Sequence, residues 1–185
     1  MVARKRNGVS KICRHKTTTG MIKTKANNGT GNVPKRDMWE TPQWLYDILN
    51  EQYDFKFDCC ANSENSKAPK FSDRFLGLFG INDMSWMNPP FSKAISMFIH
   101  FFENVSKGVA IYRCDNFETV LWQREIFPNA SWIFIPNKRI VYEGLEGMGA
   151  RFPSALIGLN VEPPKNLKGT LLRPESMSDT GSIDD

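Results

Sequence analysis

Short apolar runs alternate with segments of helical periodicity between residues 41 and 161, and this alternation constrains the fold most strongly. Apolar residues recur at helical spacing after Thr41-Pro42 and again after Ser92, and both segments are predicted to be helices. A third helix is predicted over residues 117–127. Runs rich in β-branched and aromatic residues predict strands over 55–61, 84–87, 108–112, 130–136 with an extension at 139–142, and 152–161.

This order of elements favours an α/β fold built on a mainly parallel sheet, because strands alternate with helices along most of the chain. The last two predicted strands have no strong helix between them, so we expect an antiparallel hairpin at one edge of the sheet. Residues 62–82 are rich in Asn, Ser, Gly and Lys, which predicts mostly loop with one short strand.

Charge divides the chain into unequal parts. Residues 1–36 carry ten Lys and Arg and no acid, whereas the remainder carries 14 bases and all 20 acids. So basic a segment with few apolar residues cannot form a core, which predicts a disordered arm over 1–36. We expect one domain over 37–162, followed by a disordered, proline-containing acidic tail over 163–185. The arm has two open interpretations, a solubilising tail or a segment that contacts phosphates.

Composition also limits the classes of protein that the chain can belong to. No apolar run is long enough to span a bilayer, and the basic N-terminus lacks the pattern of a signal peptide, so a cytoplasmic location is expected. The cysteines lack the spacing of a zinc site and are predicted to be reduced structural thiols: Cys13, Cys59, Cys60 and Cys114.

Asn88-Pro89-Pro90-Phe91 stands where a predicted strand ends and a predicted helix begins. Ligands of open α/β sheets bind outside the carboxyl ends of the strands, so this is the expected position of an active site. Two successive prolines remove two N–H donors and leave carbonyl groups free to accept hydrogen bonds. A rigid turn without a ligand is the alternative interpretation of the same four residues.

The chemistry that suits this turn is methylation of an aromatic amine. The N6 lone pair of adenine is delocalised into the ring, and the Asn88 side-chain oxygen and the Pro89 carbonyl could each accept one N6 hydrogen and so localise it. Phe91 could stack on the base, which must leave the duplex for its N6 to be reached. A sulfonium donor is already activated, so no strong base is required.

The chain also resembles a known family, the phage-type DNA adenine-N6 methyltransferases (Dam-like). The resemblance runs from about Asp37 to Leu159 and depends on the order of several motifs more than on any one of them. These motifs are Trp39-Glu40-Thr41-Pro42, Phe57-Asp58-Cys59-Cys60-Ala61, Asn88-Pro89-Pro90-Phe91, Arg139-Ile140-Val141-Tyr142 and Arg151-Phe152-Pro153-Ser154-Ala155.

The resemblance implies a Rossmann-like, S-adenosylmethionine-dependent methyltransferase fold that acts on double-stranded DNA. A phage origin, a location in the host cytoplasm and a role in restriction–modification are further expectations. The implied binding residues for S-adenosylmethionine are Trp39, Thr41, Pro42, Asp58 and Ala61, and those for adenine are Asn88, Pro89, Pro90 and Phe91. Structural interpretations stay open beside these: Thr41 as an ordinary helix N-cap, Asp58 as a turn residue, and Trp39 as part of the core.

The sequence departs from the wider methyltransferase pattern at two places. Cys59-Cys60-Ala61-Asn62 stands where a glycine-rich turn would follow the first strand, and no target-recognition domain is evident. The carboxylate for the donor ribose is open between Glu64, Asp73 and Asp83, and phosphate contacts are open for Lys138, Arg139 and Arg151. An RNA or protein-amide acceptor, or a non-catalytic DNA-binding role, are the alternative functions.

Overall fold

The computed structural model describes residues 37–144 and 152–174, so the predicted basic arm and the last eleven residues lie outside the described part. Two helices of eleven residues and seven strands form its framework. The helices are α1 (Gln43–Tyr53), α2 (Ala94–Asn104) and the single turn α3 (Phe127–Asn129). The strands are β1 (Phe57–Asp58), β2 (Lys70–Phe71), β3 (Ser85–Met87), β4 (Gly108–Arg113), β5 (Trp132–Pro136), β6 (Ser154–Leu159) and β7 (Gly169–Leu172).

The strands form one mixed sheet in the order β2-β1-β3-β4-β6-β5-β7. The three pairings among β1, β2, β3 and β4 are parallel, whereas the three pairings that involve β5, β6 and β7 are antiparallel. The predicted mainly parallel sheet is therefore found in one half only. β5 and β6 do pair antiparallel, but β6 lies inside the sheet, between β4 and β5, and β7 takes the edge.

The sheet is covered on both faces, as alternate residues of its strands show. On β4, Val109 and Ile111 pack in the core cluster that includes α1, whereas Ala110 packs in the cluster that includes α2. Trp132 of β5 pairs with Gly158 of β6, where a Cβ atom would lie 2.1 Å from the indole. Gly158 therefore makes room for the Trp132 indole.

The predicted boundary after residue 162 is wrong for residues 163–174. This segment continues into β7, whose residues Gly169–Leu172 pair with Ile133–Pro136 of β5. The segment is tied to α1 as well, because the Gln52 side chain donates to the Pro163 carbonyl at 3.0 Å and accepts from the Lys165 N–H at 2.8 Å. The three prolines of this region pointed to a tail, but β7 begins five residues after the second of them.

Two predicted helical segments differ in detail from the structure. The segment after Ser92 starts with a 3-10 turn over Phe91–Lys93, so α2 begins at Ala94, and Ile95 remains 50% exposed instead of packing in the core. The segment predicted over residues 117–127 contains a π-helix at Leu121–Ile126, followed by α3. The extension predicted at residues 139–142 is not a strand. None of the described helices has the length and apolar character that crossing a membrane requires.

Candidate active site

A cavity of about 320 Å³ lies at the carboxyl ends of β1 and β3. The chain leaves β1 towards β2 on one side and returns to β3 on the other, so the strand order reverses between β1 and β3. A crevice is expected at such a switch point in an open α/β sheet. The structure brings six of the nine predicted site residues into this cavity: Trp39, Thr41, Asp58, Ala61, Asn88 and Pro90. We call it the acidic cavity.

The lining of the acidic cavity contains more carboxylates than cations. Four carboxylates line it, against the two ammonium groups of Lys67 and Lys93; the four are Asp37, Glu40, Asp58 and Asp73. Of the three carboxylates considered for a ribose, only Asp73 lines the cavity, two residues after β2. Asp83 instead forms an ion pair with Lys70 at 2.8 Å. An excess of negative charge favours a cationic ligand.

Asn88 has one orientation that its surroundings permit. Its side-chain Nδ2 donates a hydrogen bond to the Trp39 carbonyl oxygen at 2.9 Å. A carbonyl oxygen can only accept, so the nitrogen of the amide must face Trp39 and the Oδ1 atom must face away. The oxygen of Asn88 is thereby left as an acceptor beside the cavity that this residue lines.

Two further contacts hold the segment before α1 over the cavity. The Asp37 carboxylate accepts from the Ser92 N–H at 2.9 Å and also from the Ser92 hydroxyl. Glu40 and Glu143 form an antiparallel bridge, with the Glu143 N–H donating to the Glu40 carbonyl at 2.9 Å. The roles of Asp37 and Glu143 have no local signal in the sequence, because each residue acts on a segment far away in the chain.

Thr41 is not the N-cap that its position suggested. Helix α1 begins one residue later, and its first N–H, that of Gln43, donates to the Glu143 carboxylate at 2.9 Å. The Thr41 hydroxyl is buried, with 1% of the residue exposed, and has no hydrogen-bond partner among the described residues. A buried hydroxyl without a partner is destabilising unless a ligand or water satisfies it. Pro42 is buried beside it but does not line the cavity.

Asp58 ends β1 inside the cavity, and only 5% of it is exposed. Burial raises the pKa of its carboxyl to about 6, although hydrogen bonds from the backbone N–H groups of Lys67 and Cys60 lower it. The Lys67 charge lowers the pKa further and the Glu40 charge raises it. Asp58 accepts two backbone hydrogen bonds as a turn residue does, and it also faces the ligand space.

Phe91 and Trp39 belong to a cluster of aromatic rings. The Phe91 ring centroid lies 5.7 Å from that of Trp39, 5.6 Å from that of Tyr112 and 5.6 Å from that of Phe152. Trp39 therefore lines the cavity and also packs within the protein. Phe91 does not line the acidic cavity, and neither does the buried Pro89; Phe91 lines a neighbouring cavity on the other side of the turn.

Two of the three residues considered for phosphate contacts line neither cavity. Lys138 and Arg139 are exposed and follow β5 at the same edge of the sheet, but neither lines the acidic cavity or its neighbour. Arg151 lies outside the described residues. Cys59 and Cys60 line the acidic cavity as free thiols, and burial raises the pKa of both.

The fold and site define an α/β protein whose ligand cavity lies at a strand switch point, with an acidic lining and an oriented amide. A family model described as DNA N-6-adenine-methyltransferase (Dam) matches residues 28–149, well over half of the 185-residue chain. The chain therefore belongs to the Dam family of DNA N-6-adenine methyltransferases, as its motifs predicted. The match includes β1 to β5 and the Asn88–Phe91 turn but ends before β6. No curated protein matches the chain.

Proposed function

We propose that the chain transfers a methyl group from S-adenosylmethionine to N6 of an adenine that has left the DNA duplex. Membership of the Dam family supports the general activity, methylation of adenine in DNA. The observation that carries the finer proposal is the orientation of Asn88, whose Oδ1 atom is left as an acceptor beside an acidic cavity at the switch point of the sheet.

The residues of the acidic cavity fit S-adenosylmethionine. The partnerless Thr41 hydroxyl is a buried polar atom that a ligand would satisfy, and the excess of carboxylates suits a molecule with a sulfonium and an ammonium group. We assign Asp58 to the amino group or a hydroxyl of the donor and Asp73 to its ribose. Trp39, Pro42 and Ala61 would complete the pocket, with Pro42 contributing by packing behind Thr41.

The Asn88–Phe91 turn would hold the acceptor base. Asn88 Oδ1 and the Pro89 carbonyl would each accept one N6 hydrogen, Pro90 would fix the backbone between the two sides of the turn, and Phe91 would stack on the ring. Because Asn88 lines one cavity and Phe91 the other, the base would lie across the border between them. An adenine in a duplex cannot reach this position without leaving the stack.

The donor supplies a methyl group that is already activated by its sulfonium. On transfer, adenine N6 would form the new bond to the methyl carbon as the bond from that carbon to sulfur breaks, and N6 would release one proton to solvent. Asn88 contributes by orienting the amine and localising its lone pair, so the protein needs to position the reactants and does not need a strong base. The reversal of strand order between β1 and β3 supports a Rossmann-like assignment of the parallel half.

Transfer of labelled methyl from S-adenosylmethionine to duplex DNA, followed by identification of the modified base, tests this proposal. We expect N6-methyladenine. If the labelled methyl group appeared in RNA or protein and not in DNA, the proposed acceptor would be wrong. Donor binding without any methyl transfer would contradict the enzyme assignment. Calorimetry with S-adenosylmethionine alone separates loss of donor binding from loss of acceptor binding.

A further inference from the structure

A second cavity, of about 530 Å³, lies on the other side of the Asn88–Phe91 turn. Phe91 and Ser92 of the turn, the first part of α2, the end of β4 and the π-helix surround it. Its volume lies in the range of ligand pockets, about 300 to 1,000 Å³. It adjoins the acidic cavity, because Lys93 lines both. We call it the basic cavity.

The basic cavity differs from the acidic cavity in its balance of charge. Lys93 and Arg113 line it, and no carboxylate of the described residues does. Arg113 is paired with Asp115, to which its Nε donates at 2.6 Å, whereas Lys93 forms no ion pair with any described residue. Ser96, Asn116 and Thr119 add polar groups to the wall. Together they suit an anionic ligand with hydrogen-bonding groups.

The same cavity also exposes apolar side chains. Ile95 of α2 is 50% exposed and Val120, at the start of the π-helix, is 55% exposed, and both line this cavity. Phe91 and Tyr112 add aromatic surface. An anion that also presents a flat apolar face, such as a nucleotide, would use both kinds of lining.

We propose that the basic cavity binds the nucleotide next to the target adenine on the same DNA strand, and that it thereby reads the sequence around the methylated base. This inference rests on the proposed function. An adenine held at Asn88 remains covalently joined to its neighbours, so an adjacent nucleotide must lie within one nucleotide's length of the turn. The basic cavity is the space beside the turn that has no carboxylate in its described lining. Lys93 would meet the phosphate, and Ile95, Tyr112 and Val120 would meet the sugar or base.

A charge series at Val120 tests the proposal, because this residue is exposed and tolerates a polar side chain. Relative to Val120→Gln, we expect Val120→Glu to weaken binding of duplex DNA about fivefold and Val120→Lys to strengthen it about fivefold, the effect of one charge a few ångströms from a phosphate. The slope of log affinity against log salt concentration should change by about one for each unit of charge that is added or removed. Leu171→Glu, on edge strand β7, is the matched control and should change DNA affinity less than twofold.

Methylation of duplexes randomised beside the target adenine provides the second readout. Asn116→Ala should alter the preferred neighbouring base, whereas Leu171→Glu should keep the parental preference. Equal losses of DNA affinity in the two Glu variants, or an unchanged preference in Asn116→Ala, would overturn the assignment of the basic cavity. A parental chain that binds no S-adenosylmethionine and methylates no DNA would instead contradict the proposed function, and the Val120 series can be read independently of that result.

Discussion

The acidic and basic cavities share one turn and one lysine, yet they differ in charge and in the state of their polar groups. The acidic cavity contains a hydroxyl without a partner and a carboxyl whose pKa burial raises to about 6. The basic cavity has its most buried charge, that of Arg113, already paired with Asp115. One cavity therefore holds a hydroxyl without a partner and a buried carboxyl. The other holds an ion pair and exposed apolar side chains.

Under the proposed function, this difference teaches how one domain can keep two opposite charges apart. A cationic donor and an anionic strand must meet at one atom, the adenine N6, and lining each side with charge opposite to its ligand disfavours exchange of the two. The turn between Asn88 and Phe91 is the boundary, because its first residue faces one cavity and its last faces the other. Variants on the two sides should thus fail in different ways.

The largest expected effect is that of Asn88→Ala, which acts at the boundary. Loss of the oriented acceptor should lower the rate of methyl transfer about 10²- to 10³-fold, the range known for removal of one preorganised hydrogen-bonding group. Donor affinity, measured by calorimetry, should stay within about threefold because the carboxylates of the acidic cavity remain. Asn129→Ala is the matched control, since its side chain also donates to a backbone carbonyl, at 2.8 Å, but lines neither cavity. Parental turnover in Asn88→Ala would exclude the acceptor assignment.

The next effect in size is that of Asp58→Asn, which should weaken donor binding about tenfold to hundredfold by removing a charged hydrogen-bonding group. The parental donor affinity should fall about tenfold between pH 7.5 and pH 5, because the donor needs ionised Asp58 and protons compete as the pH passes about 6. Lys67 and Glu40 act on the same carboxyl. The pH dependence should disappear in Asp58→Asn.

Asp58 also affects the stability of the fold. Ionisation of its carboxyl favours donor binding but disfavours the folded state. Its pKa is raised from 3.8 to about 6 in the folded protein, so the ligand-free fold is favoured by the protonated carboxyl and loses stability as the pH rises from 3.8 through about 6. Asp58→Asn should therefore be more stable than the parent at neutral pH without donor. Asp83→Asn, outside the cavity, should leave donor affinity and its pH dependence as they are. If the donor affinity of the parental chain did not change from pH 5 to 7.5, the assignment of Asp58 to the donor site would be wrong.

Thr41→Val should act more weakly on donor binding, and again with opposite signs on stability and affinity. Replacement of the partnerless hydroxyl by a methyl group should raise the free energy of unfolding by about 1 kcal/mol. It should also weaken the binding of the donor about threefold to tenfold. Denaturant unfolding and calorimetry measure the two changes. Thr41→Ser keeps the hydroxyl and should retain donor affinity within about twofold. A fall in the stability of Thr41→Val would show that the hydroxyl is satisfied in the protein alone.

The sequence predicted the elements that build the acidic cavity better than those that build the basic one. Strand-end residues such as Asp58 and Asn88 carry a local signal, because the end of an apolar run and a Pro-Pro pair mark the carboxyl edge of a sheet. Asp73 was one of three candidates, and only the path of the chain after β2 selects it. The contacts of Asp37 and Glu143 join residues 55 and 100 positions apart and leave no pattern in the sequence.

Three sequence-based expectations differ from the structure, each for a physical reason. Ile95 follows the helical spacing of the apolar residues after Ser92 but is 50% exposed, because helical periodicity does not distinguish a core from the wall of a cavity. The segment around Leu121–Ile126 was predicted as an ordinary helix, since a π-helix has the same composition. β7 was missed because an exposed edge strand after prolines resembles a tail, and its pairing with β5 depends on tertiary structure.

The smallest expected effect is that of Asp115→Asn, and it is a gain in DNA binding. The Asp115 carboxylate binds Arg113 in a pair whose side chains are 28% and 18% exposed, and the guanidinium carbon also lies 4.9 Å from the Phe152 ring centroid. The amide oxygen would still accept a hydrogen bond from Arg113. The positive charge of Arg113 would no longer be neutralised and would act on a ligand in the basic cavity. DNA binding should tighten about twofold to threefold and depend more steeply on salt, while donor affinity stays constant. Because misfolding cannot produce a gain, this variant separates the charge of the basic cavity from its shape. Weaker DNA binding would mean that the pair positions Arg113 more than it neutralises it, and an equal gain in donor affinity would mean that the two cavities are not electrostatically distinct.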